Sequence, residues 1–105
     1  MDFKEIIKRA KEIQKAYRLF NQKNGQAEWD VSAYTQGFVG DVGDLMKLIM
    51  AKNNLRQGDD LDKKLSHELS DCLWSIIVIA IELDIDLEKE FLKSMDDLET
   101  KVRIK

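Results

Sequence analysis

The ten residues Cys72 to Ile81, CLWSIIVIAI, are apolar on nearly every side of a helical wheel. A helix with no polar face has to be covered all round, so this segment is expected to be the buried centre of the fold. The rest of the chain supplies partners for it. Phe3, Ile6, Ala10, Ile13, Tyr17 and Phe20 step by threes and fours, the signature of an amphipathic helix. Phe38, Val42, Leu45 and Ile49 form a second stripe, with Asp30 or Ser32 as its N-cap. The third stripe runs Leu65, Leu69, Cys72, Leu73, Ile76, Ala80, Leu83, from a start near Asp60 or Asp62. The fourth is Leu87, Phe91, Met95, Leu98 and Val102, with Asp86 as N-cap and Glu88 in the first turn.

Between the stripes lie turn-rich segments: Asn21 to Gly25, Asn53 to Asp60 and the short Asp84-Ile85-Asp86 break. No strand-like alternation, internal repeat or proline interrupts this pattern. The expectation is one all-α domain over 1–105, a four-helix-type bundle with short connections and antiparallel neighbours. A bundle of 105 residues leaves much surface uncovered. The third helix is apolar on more faces than its neighbours in one subunit would cover, with Trp74, Ile77 and Val78 the residues left over. Self-association is therefore expected.

Charge narrows the partners. The chain has 17 basic and 20 acidic residues, net −3, so no basic face for duplex nucleic acid is implied. The longest uninterrupted apolar run, Ile76 to Ile81, is too short to span a bilayer. The stretch MDFKEIIKRAKEI is charged throughout and does not read as a secretory signal. A single cysteine, Cys72, allows no intrachain disulfide. A cytoplasmic protein is expected, with no membrane and no nucleic-acid partner.

The chemistry is carried by acids. Asp41 and Asp44 are three apart, as are Glu68 and Asp71, and residues three apart share a helix face. Each pair flanks its apolar stripe, so antiparallel packing of helices two and three would bring four carboxylates together. Converging carboxylates repel and raise one another's pKa. A divalent cation relieves this, and oxygen-only ligands suit Mg²⁺, with Mn²⁺ as a substitute. Magnesium keeps waters and is readily shared with substrate phosphates, so phosphate chemistry is indicated. The same spacing also occurs on ordinary solvated helix faces.

The sequence resembles the MazG-like nucleoside triphosphate pyrophosphohydrolases of the all-α NTP pyrophosphatase group. The motifs are Glu68-Leu69-Ser70-Asp71, the context GDVGDL holding Asp41-Val42-Gly43-Asp44, the pair Glu28-Trp29 and the turn Asp84-Ile85-Asp86-Leu87-Glu88. Their order spans about Glu28 to Val102. The family's first motif, ExxE, is DxxD here, one methylene shorter at each acid. The resemblance implies a helical dimer or dimer of dimers. It also implies Mg²⁺-dependent hydrolysis of a (d)NTP to (d)NMP and pyrophosphate, a nucleotide-pool house-cleaning activity. By motif position Asp41, Asp44, Glu68 and Asp71 would hold the metal and form the catalytic centre.

The resemblance further places a basic–polar–basic ladder on the last helix, matched by Lys93, Asp97 and Lys101, with the lysines on phosphate oxygens. Trp29 would stack on a base or pack as a structural aromatic. Ser75, one turn after Asp71, would border the sugar or base or serve packing alone. Gly37 would clear space beside the acids for the triphosphate, while Gly40 and Gly43 would let a neighbouring helix approach. Trp74 is expected against helix one or a second subunit, His67 at the surface or an interface and Cys72 as an inert core thiol. Lys52 and Arg56 are expected in solvent. The alternative reading is a non-catalytic helical oligomer that binds nucleotide or metal, or a partner-binding module.

Overall fold

In the computed structural model, which describes residues 1–53 and 59–103, the chain folds into four α-helices. They are α1 (Phe3–Lys23), α2 (Val31–Asn53), α3 (Asp59–Glu82) and α4 (Leu87–Arg103). No strand occurs among the described residues. Residues 54–58, including Arg56, and residues 104–105 lie outside the described part.

The helix starts are set by side-chain caps. Asp2 Oδ1 accepts the Glu5 N–H at 2.9 Å, Asp30 Oδ1 the Ala33 N–H at 2.8 Å, and Asp86 Oδ1 the Lys89 N–H at 3.1 Å. Each satisfies a donor that the first turn of a helix leaves without a partner. At the end of α3, Asp84 adopts φ +56°. The Ile85 N–H reaches back to Ala80 O at 2.9 Å and the Asp84 N–H to Ile81 O at 3.1 Å. This pair of bonds is a Schellman motif, built here on an aspartate at the position glycine usually takes.

Helices α2 and α3 form the main antiparallel pair. Ser75 lies opposite Asp41 at one level, and Lys52 pairs with Asp62 at 2.6 Å at another. Helix α1 packs on α3 through a polar anchor. Glu82 Oε1 accepts from Gln14 Nε2 at 3.0 Å and from Arg18 Nη2 at 2.7 Å. Arg18 Nε also lies 3.2 Å from Glu28 Oε1, tying the α1–α2 connection to the same point. Gln14 and Ala10 are the buried residues of α1. Ile13 and Tyr17, expected inside, stay largely exposed because the Gln14–Arg18–Glu82 contact turns a neighbouring face of α1 inward.

The centre of the fold is α3, as its composition requires. Cys72, Ser75, Ile77, Val78 and Ala80 are buried, and Val78 is wholly so. The lower half of its stripe is not covered: Leu69, Leu73 and Ile76 are exposed. Helix α4 keeps its amphipathic pattern but packs little against α1–α3, and every residue from Lys89 to Arg103 is exposed. The molecule is accordingly long, 54 × 37 × 27 Å.

Candidate functional site

The α2–α3 seam is built from residues of heptad-like spacing, and at its middle these are polar. On α2 the half-buried line runs Tyr34, Phe38, Asp41, Leu45, Leu48; on α3 the facing line runs through half-buried Leu61, Leu65 and Glu68 to buried Cys72 and Ser75. Asp41 and Glu68 therefore sit within the seam, one step further inward than the edge position their spacing suggests. The apolar residues Val42, Ile49 and Leu69 are turned outward in exchange.

Asp41, Asp44 and Glu68 each offer a carboxylate oxygen, and the three oxygens lie within 4.8 Å of one another. Asp71 is outside this trio. Its Oδ2 lies 3.2 Å from His67 Nε2, one turn earlier on α3. The seam thus brings together three of the four expected acids, and His67, expected at the surface or an interface, is partner to the fourth. Ser75 Oγ donates to Asp41 Oδ2 at 3.4 Å, a long bond at the edge of hydrogen-bonding range.

The electrostatics are those of an uncompensated cluster. Desolvation raises the pKa of Glu68, and repulsion from Asp41, Asp44 and Asp71 raises it further; His67 opposes the shift. Glu68 Oε2 is shut off from water and has no hydrogen-bond partner among the described residues. A carboxylate oxygen in that position is costly unless something positive meets it. The donor set, three carboxylates open to one side, fits a hard divalent cation such as Mg²⁺. Cys72, buried beneath the cluster, has its thiol pKa raised by burial and then by the charges of Asp41, Glu68 and Asp71.

One cavity borders the trio on the seam, and another lies beyond it where α1 and the α1–α2 connection meet α2 and α3. Toward the N-terminal end of α2 lies an aromatic cavity of about 300 Å³, whose lining includes Tyr17, Trp29, Tyr34 and Trp74. The Trp29 and Tyr34 rings meet at 5.5 Å between centroids, tilted by 57°. Trp29 lies across Gly37: a Cβ there would stand 3.4 Å from the indole. Gly37 thus seats Trp29 one turn before Asp41, rather than opening space directly beside the acids. Gly40 and Gly43 have no atom within 4 Å of a Cβ position among the described residues, so none of the described helices approaches them. Toward the C-terminal end of α2 lies a second cavity of about 440 Å³, lined by Asp44 and Glu68 themselves and by Lys47, Lys63, Lys64 and His67.

Lys93, Asp97 and Lys101 are exposed on α4, and the charges that shift Glu68, those of Asp41, Asp44, Asp71 and His67, belong to α2 and α3. Within one chain, then, the expected ladder is not brought to the acids. The cations beside them are Lys47, Lys63 and Lys64, which no motif singled out. The available signal was positional: each lies three to five residues from a trio acid, toward the same end of the antiparallel pair. Lys52 is exposed and paired with Asp62.

No protein-family model, curated protein or solved structure matches the chain. Among the described residues, no helix is long and apolar enough to cross a membrane.

Proposed function

We propose that the protein is a Mg²⁺-dependent nucleoside triphosphate pyrophosphohydrolase acting as a homo-oligomer. The observation that carries this is the orphaned Glu68 Oε2, shut off from water, on a residue whose carboxylate clusters with those of Asp41 and Asp44. Resemblance of the two acid motifs and the IDLE turn to MazG-like enzymes supplies the reaction: water adds across the α–β phosphoanhydride, giving a nucleoside monophosphate and pyrophosphate.

Asp41, Asp44 and Glu68 would hold the metal, with Asp71 beside them oriented by His67. Mg²⁺ bound there would offset charge on phosphate oxygens and acidify a coordinated water. The chain's own residues provide position. Ser75 fixes Asp41, and Trp29, seated on Gly37, offers an aromatic face to a base. Lys93, Asp97 and Lys101 would serve phosphates only if α4 of a second copy reached the seam. Control of a nucleotide pool is the cellular role this chemistry fits.

The test is a panel of canonical and modified (d)NTPs with Mg²⁺, monitored for pyrophosphate. Release with at least one substrate, lost in Glu68→Gln with the helical fold retained, is the expected result. Silence of the folded protein across the panel would overturn the reading. One observation favours a binding-only module: the trio leaves Asp71 out, so the ligand set is smaller than the family's tetrad. Calorimetry showing nucleotide binding without any turnover would favour that second reading.

A further inference from the structure

The two cavities differ in chemistry, and they lie toward opposite ends of α2. Along α2 the order is Tyr34, Gly37, Asp41, Asp44, Lys47; along antiparallel α3 it is Ser75, Trp74, Asp71, Glu68, Lys64, Lys63. Gly37 and Lys47 are ten residues apart, so the aromatic and cationic ends are separated by about 15 Å along the helix axis.

The lysine end carries three cations, of which Lys64 pairs with Asp60 at 3.2 Å. Lys47, Lys63 and Lys64 border the same cavity as Asp44 and Glu68. The two acids suit a cation and the lysines an anion. A cation-bound polyphosphate presents both charges at once. Lysine ammonium groups on flexible stems are suited to the scattered oxygens of such a chain.

We propose that Lys47, Lys63 and Lys64 form the subsite for the pyrophosphate end of the substrate. A nucleoside triphosphate then lies along the α2–α3 seam in one direction, its base toward Trp29 and Trp74 and its leaving group toward the lysines. This rests on the hydrolase reading for the identity of the ligand, but not for the anion site. It places the cations that receive pyrophosphate on α2 and α3 of the same chain as the acids, whatever the position of α4.

Calorimetric titration with inorganic pyrophosphate in the presence of Mg²⁺ tests it, with deoxynucleoside monophosphates as the second probe. The double variant Lys47→Gln/Lys63→Gln should weaken pyrophosphate binding by about tenfold or more, the loss of two charge-assisted contacts. Monophosphate binding should change by less than about twofold, because that half of the ligand lies toward the aromatic end. Lys47→Arg/Lys63→Arg, which keeps the charges, should restore pyrophosphate binding. Both lysines are exposed, and circular dichroism verifies that the variants stay helical.

Unchanged pyrophosphate affinity in the glutamine variant would overturn the subsite, as would equal weakening of both probes or a wild type that binds no pyrophosphate. The hydrolase reading fails separately. Lysine-dependent pyrophosphate binding without turnover of any triphosphate keeps the subsite and loses the enzyme. Turnover with lysine-independent pyrophosphate binding does the reverse.

Discussion

At the scale of single residues, Glu68 sets the behaviour of the site. Its pKa is raised in the folded protein, so the folded form binds that proton more tightly than the unfolded chain does. Its contribution to stability is thus greatest below the ordinary carboxylate range and is lost as pH rises through the elevated folded value. Without a divalent cation, Glu68→Gln should therefore raise the melting temperature at neutral pH. A cation reverses the balance by taking the proton's place. Addition of Mg²⁺ should raise the wild-type melting temperature more at mildly alkaline than at mildly acid pH, since a ligand confined to the folded state stabilises it. The shift should largely vanish in Glu68→Gln; an equal Mg²⁺ effect in both proteins would remove Glu68 from the site. Gly37 gives a second residue-scale prediction. Leucine there would displace the Trp29 indole, and tryptophan emission should move to longer wavelength as the ring becomes more exposed.

At the scale of elements, the ends of helices were legible and their faces only partly so. Asp30 and Asp86 cap because short polar side chains reach a backbone donor three residues on, a local rule that needs no tertiary knowledge. Faces depend on what the rest of the chain provides. Apolar counting turns Leu69, Val42 and Ile49 inward, but the seam takes Asp41, Glu68 and Ser75 instead. On α1 it favours Ile13 and Tyr17, but Gln14 and Arg18 hold Glu82. Polar residues at seam positions are invisible to a hydrophobic period because it counts only apolar side chains. Removing the anchor with Glu82→Ala should cost about 1–3 kcal/mol in denaturant unfolding, since Gln14 and Arg18 lose their shared acceptor. Asp84→Gly should do the opposite, gaining about 0.5–1 kcal/mol, because glycine adopts the left-handed conformation without a Cβ clash.

At the scale of the whole molecule, the radius of gyration is 17.0 Å, against about 13 Å for a compact domain of this length. The excess comes from α4 standing clear of the other helices with Phe91, Leu92, Leu98 and Val102 uncovered, while Leu69, Leu73 and Ile76 are bare on α3. Association of copies would cover both sets, and sedimentation at micromolar concentration should show a species larger than the monomer. Gly40→Ala and Gly43→Ala refine this. Both positions are open among the described residues, so alanine should stabilise α2 by up to about 1 kcal/mol each. A loss of assembly instead would show that another copy's helix passes over them. The chain also carries its own reporter, since Cys72 is its only thiol, and burial first and then the field of the acids hold that thiol's proton on. Thiolate absorbance followed against pH should therefore read an apparent pKa that falls when Mg²⁺ neutralises the carboxylates above it. Occupancy of the proposed cation site would then be measurable spectroscopically, in an unlabelled protein.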